Sequence, residues 1–165
     1  GVARGPGQGG HAVIRNSNTE LCAELLGLEG PRRYYGGPRE LLSAVASGEV
    51  REGVLWEPYL AMASSMGLRV EPCEIRQCCL LSANAGLRDE YPRISRIAAS
   101  AISRASSADL SAYAELVGLP RQLIERSIRS YSFHEEPDVP YLEGMLESAR
   151  RAVLPRSTAR EAVVA

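Results

Sequence analysis

The segment from Leu41 to Tyr59 constrains this chain more than any other. Leu41, Leu42, Val45 and Ala46 recur at helical spacing, and Gly48 ends that helix. The short apolar run Gly53-Val54-Leu55-Trp56 follows and stops abruptly on Glu57, Pro58 and Tyr59. An amphipathic helix feeding a short apolar strand belongs to a sheet whose strands are joined by helices. Two aromatic rings, a carboxyl group and a proline at the carboxyl end of a strand are the ingredients of a ligand cleft in such a sheet.

The first half of the chain repeats this alternation. His11-Ala12-Val13-Ile14-Arg15 predicts a strand. Ser17-Asn18-Thr19-Glu20 then predicts a capping box, opening a helix that turns Leu21, Cys22, Leu25 and Leu26 inward and stops at Gly27. A second reading makes Val2-Ala3-Arg4 the strand and starts a longer helix near Gly10. Asn16-Ser17-Asn18 weighs against it, because each side chain competes for backbone hydrogen bonds inside a helix. Arg33-Tyr34-Tyr35, Arg69-Val70 and Cys78 to Ser82 read as further strands, and Pro58 opens a helix closed by Gly67.

From Tyr91 onward the pattern is helical. Ile94, Ile97, Ala98, Ala101, Ile102 and Ala105 recur at helical spacing, and helices are expected over 108–117, 120–130 and 138–153. The expected organisation is a Gly-rich lead over 1–10 and an α/β ligand-binding lobe with a mostly parallel sheet over 11–90. A helical return segment over 91–155 and a tail over 156–165 complete it.

Composition removes several classes of function. No apolar run approaches the roughly 20 residues that span a bilayer. The Gly-rich start lacks the apolar core of a signal peptide. A formal net charge of -1 argues against a nucleic-acid partner. All 19 basic residues are arginine, spread from Arg4 to Arg160, which reads as coding bias with a thermophilic source rather than an anion-recognition surface. Cys22, Cys73, Cys78 and Cys79 are expected as buried free thiols. The alternative is a Cys73 disulfide to Cys78 or Cys79 in an oxidising setting. Cys73-x4-Cys78-Cys79 has no histidine nearby, so no metal is expected. No cofactor motif is present either. The nucleophile elbow of hydrolases is absent, and His134-Glu135-Glu136 reads as a solvated loop.

The candidate ligand residues lie where strands meet helices. Ser17, Asn18 and Thr19 offer hydroxyls and helix-start N–H groups to a small polar or anionic ligand, against plain helix capping. Trp56, Glu57 and Tyr59 are placed to stack on a ligand and accept its hydrogen bonds. The alternative is a core Trp56 and a Glu57 that only neutralises a helix dipole. Asn84 follows Leu80-Leu81 as a ligand donor or a turn residue. Gly5-Pro6-Gly7-Gln8-Gly9-Gly10 is either a turn-rich lead or an anion nest.

Ala46-Ser47-Gly48-Glu49-Val50-Arg51-Glu52-Gly53-Val54-Leu55-Trp56-Glu57-Pro58-Tyr59 resembles a motif of the type II periplasmic binding proteins, "ALxxGxVDAxxxWEPY". The similar group takes up sulfonates, nitrate, taurine and thiamine pyrimidine precursors through ABC systems, and the likeness is to its second lobe. It extends through Tyr91-Pro92-Arg93-Ile94 and Gly118-Leu119-Pro120 to Val153-Leu154-Pro155, and so covers roughly residues 11 to 155. Arg51-Glu52-Gly53 stands where the family has Asp-Ala. The resemblance implies a three-layer lobe that binds a small polar or anionic organic molecule, partnered by an ABC permease, a missing first lobe or a second copy. It implies an extracytoplasmic location for part of a full binding protein and a cytoplasmic one for a complete chain. An enzyme of this fold in menaquinone or thiamine-pyrimidine biosynthesis, and a ligand-sensing regulatory domain, are the alternatives.

Overall fold

The computed structural model describes residues 1–73, 84–105, 109–131 and 137–149. Its first half alternates strands and helices: β1 (Val2–Arg4), β2 (His11–Val13), α1 (Asn18–Leu25), β3 (Arg32–Tyr34), α2 (Pro38–Ala46), β4 (Glu52–Val54), α3 (Tyr59–Ser65) and β5 (Arg69–Glu71). A 3-10 turn at Ala85–Glu90 precedes α4 (Tyr91–Ala105), α5 (Ser111–Val117), α6 (Arg121–Ile128) and α7 (Val139–Ala149). The chain divides into two compact units. Gly1–Arg76 with Gln122–Ser127 forms the first, and Gln77–Arg121 with Ile128–Ala165 forms the second. In the second unit, α4 packs against the 3-10 turn. The expected strand over Cys78 to Ser82, the state of Cys78 and Cys79, the His134 loop, and the chain beyond Ala149 lie outside the described residues.

The sheet of the first unit has the order β3-β2-β4-β1-β5. β2 pairs in parallel with β3 and β4, while β1 runs antiparallel between β4 and β5. Four strands therefore point one way, and the expected mostly parallel α/β sheet is present. Helices cover both faces. Ala3 and Ala12 face α2 and α3 and pack with Leu41, Leu42, Val45, Leu55 and Ala63. Val2, Val13 and Val54 face α1 and pack with Cys22 and Ala23.

Residues 1–10 are not a lead. Val2 and Ala3 are buried in the sheet interior, and Gly1 hydrogen-bonds in both directions with Leu55. The glycines that suggested a flexible start serve close approach instead. A Cβ at Gly5 would sit 2.1 Å from the Val45 carbonyl oxygen, and one at Gly7 would sit 2.4 Å from that of Val50. The two sequence readings of this region were each half right, because Val2–Arg4 and His11–Val13 are both strands.

A polar row crosses the sheet on the α1 face. Arg32, His11, Glu52, Arg4 and Arg69 are successive cross-strand partners. Glu52 is fully buried. It accepts from Arg4 Nη1, and from Arg51 Nη2 at 2.7 Å. Arg4 also reaches Glu71 at 3.1 Å, and Arg69 reaches it at 2.6 Å. His11 is buried as well, and its Nε2 accepts from Arg32 Nε at 3.4 Å. A buried carboxyl group demands such partners, and losing one of them would leave an uncompensated charge.

Two expectations about α1 are corrected. Leu25 and Leu26 are exposed rather than inward, at 44% and 42%, because Thr19, Glu20, Cys22 and Ala23 take the sheet-facing side. The thiol of Cys22 is not free, and Cys73 does not pair with Cys78 or Cys79. Cys22 and Cys73 form a disulfide across 51 residues. The bond ties α1 to the chain leaving β5, over an apolar layer made of small side chains. Spacing along the sequence favoured the near cysteines; only the sheet order brings the distant pair together.

Two stability measurements check this packing. Closing a loop of that length restricts the unfolded chain by about 4 kcal/mol. Cys22→Ser with Cys73→Ser is therefore expected to lower the unfolding free energy by about 2–4 kcal/mol in urea titrations. Gly53 faces α2, and a Cβ there would lie 2.6 Å from both Leu41 Cδ2 and Val45 Cγ2. Gly53→Ala is expected to cost about 1–3 kcal/mol by overpacking, read as a lower denaturation midpoint at unchanged slope.

Candidate functional site at the carboxyl edge of the sheet

The path of the chain divides at one edge of the sheet. From β2 the chain leaves through α1 to β3, and from β3 it returns through α2 on the other face to β4. Connections thus diverge on opposite sides of the β2–β4 pair. In an open α/β sheet that divergence is where ligands enter, at the carboxyl ends of the strands. Ala12 is level with Gly53 in the ladder, so the loop after β2, Ile14 to Ser17, faces the loop after β4, Leu55 to Pro58.

The first loop is held by its own side chains. Ser17 is the N-cap of α1, and its Oγ accepts from Thr19 N–H at 3.2 Å while donating to the Ile14 carbonyl at 2.7 Å. Thr19 Oγ1 accepts from Ile14 N–H at 2.8 Å and is buried. Both hydroxyls therefore serve the turn first, as capping physics demands. Asn18 is exposed at the helix start. Asn16 adopts φ 54°, a left-handed conformation that Asn tolerates better than most residues. The expected capping box closes one residue further back: Glu20 Oε2 accepts from Asn16 N–H at 2.9 Å rather than from Ser17.

Glu20 is the electrostatic centre of this loop. Its Oε1 accepts from Tyr34 Oη at 2.7 Å and from Arg32 Nη1 at 3.1 Å. Burial alone would raise its pKa. The hydrogen bonds from Tyr34, Asn16 and Arg32 outweigh burial and hold the carboxyl below its ordinary range. Arg32 is itself pushed above the usual guanidinium range, chiefly by its hydrogen bond to Glu24. The guanidinium of Arg15 lies 4.2 Å from the centroid of the Tyr34 ring, a cation–π stack on an exposed rim.

The second loop presents an aromatic pair. Leu55 is buried, and the chain then turns outward so that Trp56 is 40% exposed. Trp56 and Tyr59 meet edge to face, with centroids 6.5 Å apart and planes at 86°. Glu57 lies beside them. Its Oε2 accepts from Ala61 N–H and from Ser127 Oγ of α6, each at 3.1 Å. The carboxyl therefore anchors the first turn of α3 and fastens α6 to it.

The fold thus brings six expected residues to one edge: Ser17, Asn18 and Thr19 on one loop, Trp56, Glu57 and Tyr59 on the other. Asn84 belongs to the second unit, where its Oδ1 accepts from Gly86 N–H at 2.9 Å and caps the 3-10 turn. Sequence spacing placed Glu20 in a capping box but not at the centre of this charge network, and it assigned Arg15 no role. Glu20 had a signal, its place three residues after a serine cap, whereas Arg15 acquires its position only from the ring of Tyr34 on the next strand. Among the described residues no group of three or more His, Cys, Asp or Glu side chains is arranged to hold a metal ion.

No protein-family model and no curated protein sequence matches the chain. The crystal structure of an ABC transporter from Parabacteroides distasonis is similar in fold, with a TM-score of 0.63 at 19% identity. The match covers 92% of this chain and 63% of that one, so this chain spans less than two thirds of its neighbour. At that identity the likeness establishes a shared fold.

The lowered pKa of Glu20 sets the sign of a pH effect. A carboxyl group with a depressed folded pKa stabilises the fold above its unfolded value, and that contribution is lost as pH falls through the folded value. The wild type is expected to lose stability relative to Glu20→Gln as pH drops below about 4. At neutral pH the variant should be weaker by about 1–3 kcal/mol, read from paired urea titrations.

Proposed function

We propose that this chain is a lobe of a solute-binding protein serving an ABC-type uptake system, and that it takes a small polar or anionic organic molecule. The observation that carries this reading is that the loops after β2 and β4 face each other at the carboxyl edge of the sheet. On one side stand the start of α1 and the Arg15–Tyr34 stack, and on the other the exposed Trp56 ring. A planar or unsaturated ligand group would stack on the indole, while Arg15 and the α1 N–H groups would meet its negative or carbonyl oxygens. Ser17, Thr19 and Glu57 then act by holding the two loops in place, and Arg15, Asn18, Trp56 and Tyr59 are the residues proposed to touch ligand.

The similar ABC transporter fold supports the uptake setting. The type II family is supported by the Trp-Glu-Pro-Tyr turn standing at the carboxyl edge of a mostly parallel lobe. The Cys22–Cys73 disulfide supports an oxidising, extracytoplasmic compartment. One wall buries little of a small molecule. Tight binding therefore calls for a second wall, from another lobe or a second copy, and a permease is the expected receiver.

A thermal-shift screen with sulfonates, nitrate, amino acids and pyrimidines tests the reading. A ligand about a hundredfold above its Kd adds about 2.7 kcal/mol of native-state stability. For a chain of this size that corresponds to about 5–10 °C in Tm. The shift is expected to vanish in Trp56→Ala and to shrink in Arg15→Gln. A full shift retained in Trp56→Ala would place the site elsewhere.

A further inference from the structure

The helix that carries the first loop is lightly anchored. α1 has 8 residues, fewer than the roughly 12–15 at which a helix sustains itself in water, so tertiary contacts must hold it. Its own share of the apolar layer is Cys22 and Ala23, while Leu25 and Leu26 are exposed. Glu20 ties it to Tyr34 and Arg32 of β3, and Glu24 ties it to Arg32 again. β3 is an edge strand, and Glu24 is exposed, so water screens that last pair. Toward the opposite edge of the sheet the tie is covalent: Cys22 is bonded to Cys73, which follows β5. Cys22 is 2% exposed, whereas Cys73 is half-buried.

We infer that the Cys22–Cys73 bond is a redox latch: a dithiol reductant opens it and releases α1 with its cap loop, Ser17 to Thr19, while the sheet and α2 stay folded. A thiolate of the reductant attacks the sulfur of Cys73, the half-buried member of the pair. The S–S bond breaks, and its electron pair leaves on the sulfur of Cys22, which takes up a proton. The second thiol of the reductant, as thiolate, then displaces Cys73, which is protonated in turn. Two protein sulfurs are reduced, and the reductant departs as a disulfide. The release is local because protein regions open first where few apolar contacts are buried. α2 is the contrast, held by Leu41, Leu42, Ala44 and Val45. What the latch controls is the order of the loop bearing Ser17, Asn18 and Thr19. Its bearing on a ligand rests on the function proposed above, and the release of α1 does not.

Hydrogen exchange of the full chain with and without dithiothreitol tests the latch. The amides to follow are Leu21 to Leu26 in α1 and Leu42 to Ser47 in α2. On reduction the exchange rate of α1 relative to α2 is expected to rise about tenfold, equivalent to about 1.4 kcal/mol. A uniform loss of stability would speed both helices alike and leave that ratio unchanged. In the reduced chain α1 exchange should depend little on urea below the unfolding transition, since a local opening exposes little surface. Cys22→Ala/Cys73→Ala should show the raised ratio without reductant and ignore dithiothreitol. Cys78→Ser/Cys79→Ser should respond as the wild type does. An unchanged ratio on reduction, or a response lost in Cys78→Ser/Cys79→Ser, overturns the latch. A thermal-shift screen that finds no ligand sinks the proposed function and leaves the exchange ratio as measured.

Discussion

The buried carboxyl group of Glu52 is the constraint on which the sheet depends. Fully enclosed, it has to meet cations, and it does so through Arg4 on β1 and Arg51 beside it. That requirement selects one register. Moving β1 by a single residue would turn Arg4 to the opposite face, and Val2 and Ala3 would exchange sides. The row extends outward to His11 and Arg32 on one side and Arg69 on the other, so all five strands meet at one polar line. An apolar row lies next to it, where Val13, Val54 and Val2 pack under α1.

This alignment at one end of the strands places the loops at the other. Because β2 and β4 are level where His11 meets Glu52, their carboxyl ends are level too, and the two loops face each other. The facing of the two loops is thus a consequence of strand order and register. Between those loops, capping and the proposed recognition fall to different atoms. Ser17 and Thr19 satisfy the turn, and Glu57 satisfies α3. What remains turned outward, Trp56 and Arg15, carries the chemistry proposed for a ligand.

The covering of the α1 face is economical in apolar surface. Cys22 and Ala23 are small, Leu25 and Leu26 point to solvent, and the helix is fastened instead by a disulfide and by Arg32 between Glu20 and Glu24. α2 on the opposite face needs no such fasteners, because Leu41, Leu42 and Val45 supply the burial. The two faces of one sheet are therefore held differently: small apolar side chains backed by a disulfide and ion pairs on one, larger apolar side chains on the other.

Local signals carried much of this architecture. Hydrophobic spacing marked α2 and α4, Gly48 and Gly67 marked helix ends, Ser17 marked a cap, and Trp56-Glu57-Pro58-Tyr59 marked a strand-to-helix turn, because each of these depends on neighbours within a few residues. Other features depend on residues far apart in the chain. The strand Val2–Arg4 was masked by the glycines beside it, whose purpose is a close pass under Val45 and Val50. The Cys22–Cys73 bond, the stack of Arg15 on Tyr34 and the meeting of Arg4 with Glu52 join segments 19 to 51 residues apart, and periodicity contains no information about such pairs. Sequence by itself determined an alternating α/β lobe with an aromatic turn at a strand end. Tertiary structure alone decided the strand order, the antiparallel β1 and the partners of every buried charge, since those follow from which distant segments satisfy one another once water is excluded.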